Sequence, residues 1–227
     1  QEIRLRVGSP VILNIRGKER IPKSEWKTAS CHEDRNARDG RYISSYSLYA
    51  FEEELRQGFL TVEGGHRVGM AGKVIMDQGT IKNIQYISSV NIRVAHEVKD
   101  CAGKVLPYLT YNQQLYHTLI ISPPGCGKTT LLRDLIRQIS DGNRWIQGES
   151  VGVVDERSEL GACHLGIAQN ELGIRTDILD GCPKAEGMLM LIRSMAPKIL
   201  AVDEIGAPED IHAMEYAMHC GCCMLAT

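Results

Sequence analysis

The run Ser122-Pro123-Pro124-Gly125-Cys126-Gly127-Lys128-Thr129-Thr130 has the spacing of a loop that wraps phosphate. The usual pattern, G-x-x-x-x-G-K-[ST], opens on glycine. Here Ser122 takes that place, and a small residue still fits a strand-to-loop junction. Glycines at 125 and 127 let main-chain N–H groups turn inward around an anion, and the helix that starts behind them adds partial positive charge. The segment expected to hold the nucleotide is therefore Pro123, Pro124, Gly125, Cys126, Gly127, Lys128, Thr129 and Thr130. Lys128 is expected on the β- and γ-phosphates, and the Thr129 hydroxyl on Mg²⁺. The bland alternative is a glycine turn at a helix start, but such turns rarely run straight into Lys-Thr-Thr. Cys126 reads as a tolerated small residue rather than a redox switch.

A second cluster follows an apolar run, Ile199-Leu200-Ala201-Val202, which ends in Asp203-Glu204. At the carboxyl end of a parallel strand such groups face the ligand crevice. Asp203 is expected to hold the Mg²⁺ shell, and Glu204 to polarise the attacking water. A third group, Asp155-Glu156-Arg157-Ser158-Glu159, ends another apolar run and is expected at the same sheet edge. There it would face Mg²⁺, water or a neighbouring subunit; a solvated charged turn is the plain alternative. Arg157 and Arg175 are candidates for stabilising charge on a transferring phosphoryl group, although Arg175 suits a structural ion pair equally well. Arg67 and Arg93 are weaker candidates for reaching the nucleotide. No N-K-x-D run selects guanine, so ATP is expected rather than GTP.

These groups need rigid elements to hold them. The second half of the chain alternates strand and helix. Strands are expected over 115–121, 150–155, 198–203 and 222–226, with helices over 129–140, 185–195 and 210–219. That alternation implies a parallel sheet covered on both faces. The strand at 150–155 lies in sequence between the phosphate loop and the acidic pair, which resembles the RecA-like branch of P-loop ATPases rather than kinases or small GTPases. The first half differs in texture. Strand-like stretches occupy 3–7, 11–15, 59–63, 67–73, 84–88 and 92–94, with a turn at Gly64-Gly65. A polar loop is expected at 31–41, and a helix over 47–57 with Leu48, Phe51 and Leu55 on one face. The expected fold is α/β: a RecA-like P-loop NTPase core with a mostly parallel sheet over 109–227, and a smaller N-terminal α/β (α+β) domain over 1–108. Residues 98–110, broken by Pro107, read as a connecting segment.

Bulk composition narrows the function classes. Hydrophobic residues make up 43% of the 227, enough for packed cores. The net charge is −2 from 26 basic and 28 acidic residues, and aromatics are 5%, so nucleic-acid binding is disfavoured. No apolar run reaches the roughly 18 residues of a membrane span. Eight scattered cysteines without a visible signal peptide point to free thiols in a reducing cytoplasm. The His219-Cys220-Gly221-Cys222-Cys223 run lacks paired zinc-site spacing and reads as small residues ahead of a buried strand. Asp177, Asp180 and Lys184 lie in what reads as a glycine-rich connection with no assigned role.

Several long blocks carry a family resemblance: SPPGCGKTTLLRD from Ser122, VDERSEL from Val154, GIRTDILDGCPKAEGM from Gly173 and IRSMAPKILAVDEIG from Ile192. With Gly64-Gly65-His66-Arg67-Val68-Gly69 and Asn91-Ile92-Arg93-Val94, they closely resemble the stage III sporulation AA family of endospore-forming bacteria. That family is similar to the secretion-superfamily ATPases. Leu191-Ile192-Arg193-Ser194-Met195-Ala196-Pro197 looks like their L-R-x-x-P-D segment, with Lys198 in place of the aspartate. The resemblance supports Arg193 as a charge stabiliser, in cis or across an interface, so that the catalytic set expected is Glu204, Lys128, Arg193 and Glu156. It implies a homo-oligomeric ring, usually six-fold, using ATP and Mg²⁺. It also implies a cytoplasmic position, peripheral to the membrane, against channel proteins of the sporulation apparatus. The family continues beyond Thr227 with a histidine-containing segment, and the chain starts at Gln1 without methionine, so a truncated chain is expected. A nucleotide-dependent scaffold without turnover and a nucleic-acid-associated ATPase are the alternative readings.

Overall fold

The computed structural model describes residues 1–22, 58–77 and 79–227. The expected loop at 31–41 and helix over 47–57 lie outside the described residues. The chain divides into two compact units, Gln1–His96 and Glu97–Thr227.

The first unit is built on one antiparallel sheet. Its strands are β1 (Glu2–Arg6), β2 (Ile12–Ile15), β3 (Lys18–Arg20), β4 (Phe59–Val62), β5 (His66–Asp77) and β6 (Thr80–Arg93), in the order β3-β2-β1-β6-β5-β4. The stretches expected as separate strands at 84–88 and 92–94 are parts of one strand, β6. Ladder pairing with β5 carries it through the polar residues between them, past register shifts at Ala71/Lys73 and Ile75/Met76. Leu60, Val68 and Met70 are buried, with Val62, Ile87, Val90 and Ile92 packed on them. Arg67 stacks 3.5 Å over the Phe59 ring and Arg93 pairs with Glu2 at 3.4 Å, both within this unit.

The second unit opens with a short 3₁₀ turn, Cys101–Lys104, then α1 (Leu106–Leu109) and a small hairpin of β7 (Thr110–Tyr111) and β8 (Gln114–Leu115). The main elements follow: β9 (Thr118–Leu119), α2 (Lys128–Asp141), β10 (Val151–Asp155), β11 (Thr176–Asp180), α3 (Lys184–Ser194), β12 (Ile199–Val202), α4 (Pro208–His219) and β13 (Cys223–Ala226). Five strands form a wholly parallel sheet in the order β11-β10-β12-β13-β9. The strand expected over 115–121 shrinks to Thr118–Leu119 because β9 is an edge strand: Leu119 and Ile121 are exposed, and Leu115 belongs to the hairpin.

Every residue of β10 and β12 is buried, as strands covered on both faces require. Alternate side chains serve opposite layers. Val151, Val153, Ile199, Ala201 and Leu225 meet Leu132, Leu135, Ile136 and Ile139 of α2. Val154, Leu200, Val202 and Met224 meet Met188, Leu191, Ala213 and Ala217 of α3 and α4. Gly187 lets α3 settle close to the sheet, since a Cβ there would lie 2.6 Å from Val154 Cγ1.

The boundary between units falls after His96, not at 108. Asp134 of α2 is the cause. Its side chain is 2% exposed, and its carboxylate accepts the N–H groups of Asp100 at 3.1 Å and Ala102 at 2.8 Å. Ala102 and Leu106 are then fully buried against α2. Burial opposes ionisation of Asp134, but the Ala102 N–H, Arg137 and Gln138 together hold its carboxyl below the usual range. A carboxyl depressed in the folded state contributes stability above its unfolded value and loses it as pH falls. Asp134→Asn should therefore lower stability by about 2 kcal/mol at neutral pH. Chemical denaturation should show that gap closing as the pH falls below about 4.

Candidate functional site

Parallel strands all end at the same sheet edge, and the chemistry collects there. Gly125 and Gly127 follow β9 with φ of +74° and +89°, the left-handed region that glycine enters without strain. Pro123, Pro124 and Cys126 are exposed, and Thr130 is half-buried. Lys128 is the first residue of α2, and its Nζ bends back across the loop to the Ser122 carbonyl at 3.0 Å. The ammonium thus rides over the loop and makes no ion pair among the described residues.

Thr129, one residue on, donates its hydroxyl to Asp203 Oδ2 at 2.7 Å. Asp203 follows β12, so this bond joins the phosphate loop to the acidic strand end across the sheet. The strand physically between β9 and β12 is β13; β10 lies on the far side of β12. β13 delivers Thr227, whose hydroxyl donates to Asp203 Oδ1 and accepts the N–H of Glu204 at 2.9 Å. Thr227 escaped the sequence reading; its only signal is a hydroxyl ending an apolar strand. Thr129 and Asp203 present hard oxygens of the kind Mg²⁺ takes, beside a loop whose amides suit an anion, so the residues fit both groups.

The turn after β10 holds the remaining charges. Asp155 does not face outward. It is 2% exposed and accepts N–H groups from Glu159 at 2.8 Å, Leu160 at 2.9 Å and Gly161 at 2.7 Å. Burial pushes its carboxyl up to about 6, against the pull of those amides. Glu156 forms an ion pair with Lys184, the first residue of α3, and Arg157 forms one with Glu204. Arg133 of α2 donates to the carbonyls of Glu159 and Leu160. Asp155, Glu156, Arg157, Glu159, Lys184, Asp203 and Glu204 line one cavity. The expected connection around Asp177 and Asp180 is a strand, β11, with Asp180 in register beside Asp155. The sequence reading named Lys184 without a role and did not name Arg133; both lie beside these charges.

Two candidate arginines lie elsewhere. Arg175 donates to the Ser140 and Asp141 carbonyls at 2.8 and 3.3 Å, clamping the far end of α2. That is a structural role, because thirteen residues of helix at about 1.5 Å each separate Lys128 from Asp141. Arg193 is exposed on the last turn of α3. Lys184 begins that helix at the cavity, so Arg193 lies about 13 Å further along the axis and outside the chain's own cluster. Among the cysteines, Cys222 and Cys223 donate their thiols to the Pro197 and Leu115 carbonyls at 3.2 and 3.3 Å, and burial pushes Cys223 up to about 11.

Residues 1–227 match the sequence family described as Sporulation stage III, protein AA. The chain belongs to this family. It is 48% identical over 221 residues to Stage III sporulation protein AA of Bacillus subtilis (strain 168), covering 97% of this chain and 70% of that protein. Among solved structures, the Legionella pneumophila ATPase DotB superposes with a TM-score of 0.62 at 16% identity, over all of this chain and 60% of that one. The pilus retraction motor PilT, solved with bound ADP, gives 0.62 at 15% identity over all of this chain and 62% of its own. The chain thus spans about three-fifths of either motor's length. At that identity the likeness shows the fold, an α/β P-loop NTPase core beside a smaller unit.

Within this family member, Asp155 offers a direct check on the site's electrostatics. A carboxyl whose value is raised on folding contributes stability that is complete below its unfolded value and is lost as pH rises. From about pH 4 to about 6, the stability of the parent chain should fall relative to Asp155→Asn, as followed by thermal unfolding at several pH values.

Proposed function

We propose that the chain binds ATP through Pro123–Thr130 and hydrolyses it with Mg²⁺, as one subunit of a homo-oligomeric ring, six-fold by family likeness. The observation that carries this reading is the 2.7 Å contact between Thr129 Oγ1 and Asp203 Oδ2, which joins two oxygen donors beside a lysine-capped glycine loop. A bound Mg²⁺ would supply charge neutralisation at the phosphates. Thr129 and Asp203 would hold it, Lys128 would meet the β- and γ-phosphates, and the loop amides would orient the polyphosphate. Glu204 draws the proton of the attacking water. Glu156 assists from the turn after β10 by holding Lys184 in the cavity. Arg193, distant within its own chain, acts across a subunit interface if it acts on phosphate. The family and the ATPase fold support a place at the mother cell–forespore channel, peripheral to the membrane and against the channel proteins. Among the described residues, no helix is long and apolar enough to cross a membrane.

Calorimetry tests the binding half. Lys128→Ala should weaken ATP binding by about 10- to 100-fold, the worth of a hydrogen bond to a charged group; unchanged affinity would overturn the assignment. Phosphate release by the full-length protein tests the chemistry. Glu204→Gln should keep ATP affinity and lose about 10²- to 10⁴-fold in turnover. Mg²⁺-independent or absent release from the unaltered protein would favour a nucleotide-dependent scaffold instead.

A further inference from the structure

The turn after β10 carries more restraint than a surface turn needs. Asp155 grips the N–H groups of residues 159, 160 and 161 from within. Arg133, one and a half turns into the phosphate-loop helix, holds the carbonyls of 159 and 160 from the side. Glu156 ties the turn to Lys184 at the start of α3. Arg157 projects from this pinned platform and pairs with Glu204.

Glu204 needs such a partner. Its backbone is fixed, with φ at +55° and its N–H on Thr227 Oγ1. Its side chain is 47% exposed and has one charged partner among the described residues, Arg157. Besides the inward-turned Asp155, the cavity is lined by the acidic residues Glu156, Glu159, Asp203 and Glu204, and the cations there are Arg157 and Lys184. Lys184 is engaged by Glu156. Without Arg157, repulsion from Asp203 and its neighbours would swing Glu204 outward to solvent.

We propose that Arg157 is a positioning residue: it fixes the Glu204 carboxylate over the cavity, and its platform is held by Arg133 so that the phosphate-loop helix and the base keep one geometry. This rests on the reading of Glu204 as the group that activates water. It moves Arg157 from a stabiliser of the phosphoryl group to a residue acting through Glu204.

The test uses the full-length protein and the variants Arg157→Gln, Arg157→Lys, Glu204→Gln and the double variant Arg157→Gln/Glu204→Gln. Arg157→Gln should lower kcat for ATP by about 10- to 100-fold, the effect of misplacing a reacting group by about 1 Å, with KM within about twofold. Arg157→Lys should recover part of that loss. In the Glu204→Gln background, removing Arg157 should cost nothing further. A rise in KM at constant kcat, or a further tenfold loss in that background, would show Arg157 acting on the nucleotide directly and would overturn the proposal. Thermal unfolding of the nucleotide-free variants reads the pair without turnover: the two single substitutions should be non-additive in Tm, and strict additivity would overturn it. If Glu204→Gln leaves turnover intact, the base assignment fails, while the thermal cycle still reports whether the pair exists.

Discussion

A hydroxyl and a carboxylate 2.7 Å apart, Thr129 and Asp203, are the contact around which the second unit is arranged. One belongs to a helix and the other to a strand end, 74 residues away in sequence. A hydrogen bond to an ionised group contributes about 1.5–3 kcal/mol at best, far too little to assemble two such elements. The sheet does that work. Four buried residues of β12 and five of β10 leave no freedom in where the strands end, so their carboxyl-terminal side chains arrive at one edge. The polar bond then selects which atoms meet.

That edge gathers negative charge, and the fold deals with it residue by residue. Asp155 is turned inward and spent on three amides, which removes it from the surface at the cost of a raised carboxyl. Glu156 and Glu204 each receive a cation from a different element, Lys184 from α3 and Arg157 from the β10 turn. Among the described residues, Asp203 accepts from two hydroxyls and pairs with no cation. A carboxylate bound only to hydroxyls keeps its full charge for a metal, whereas one paired with arginine has already been neutralised.

The glycine loop, the helix behind it and the two strands that end in acidic residues were legible because their signals are local. Leu132, Leu135, Ile136 and Ile139 repeat at three and four residues, and the helix they imply is the one that forms. β11 was not legible: Thr176 and Asp177 at its start and Asp180 at its end look like loop, and only pairing with β10 makes it a strand. Thr227 was illegible for a related reason. Its role depends on β13 lying between β9 and β12, and strand order is a property of the whole sheet. The surroundings of Arg175 and Arg193 were not legible, because an arginine looks the same wherever it sits. Which end of a helix it occupies decides what it touches, and that end is fixed by tertiary packing.

Asp134 has a mechanical consequence. The residues entering the second unit are stitched at Asp100 and Ala102 to α2 rather than to the sheet. Asp134 stands six residues after Lys128, on the same rigid rod. One carboxylate therefore anchors the residues that enter the unit to the same helix that begins with Lys128.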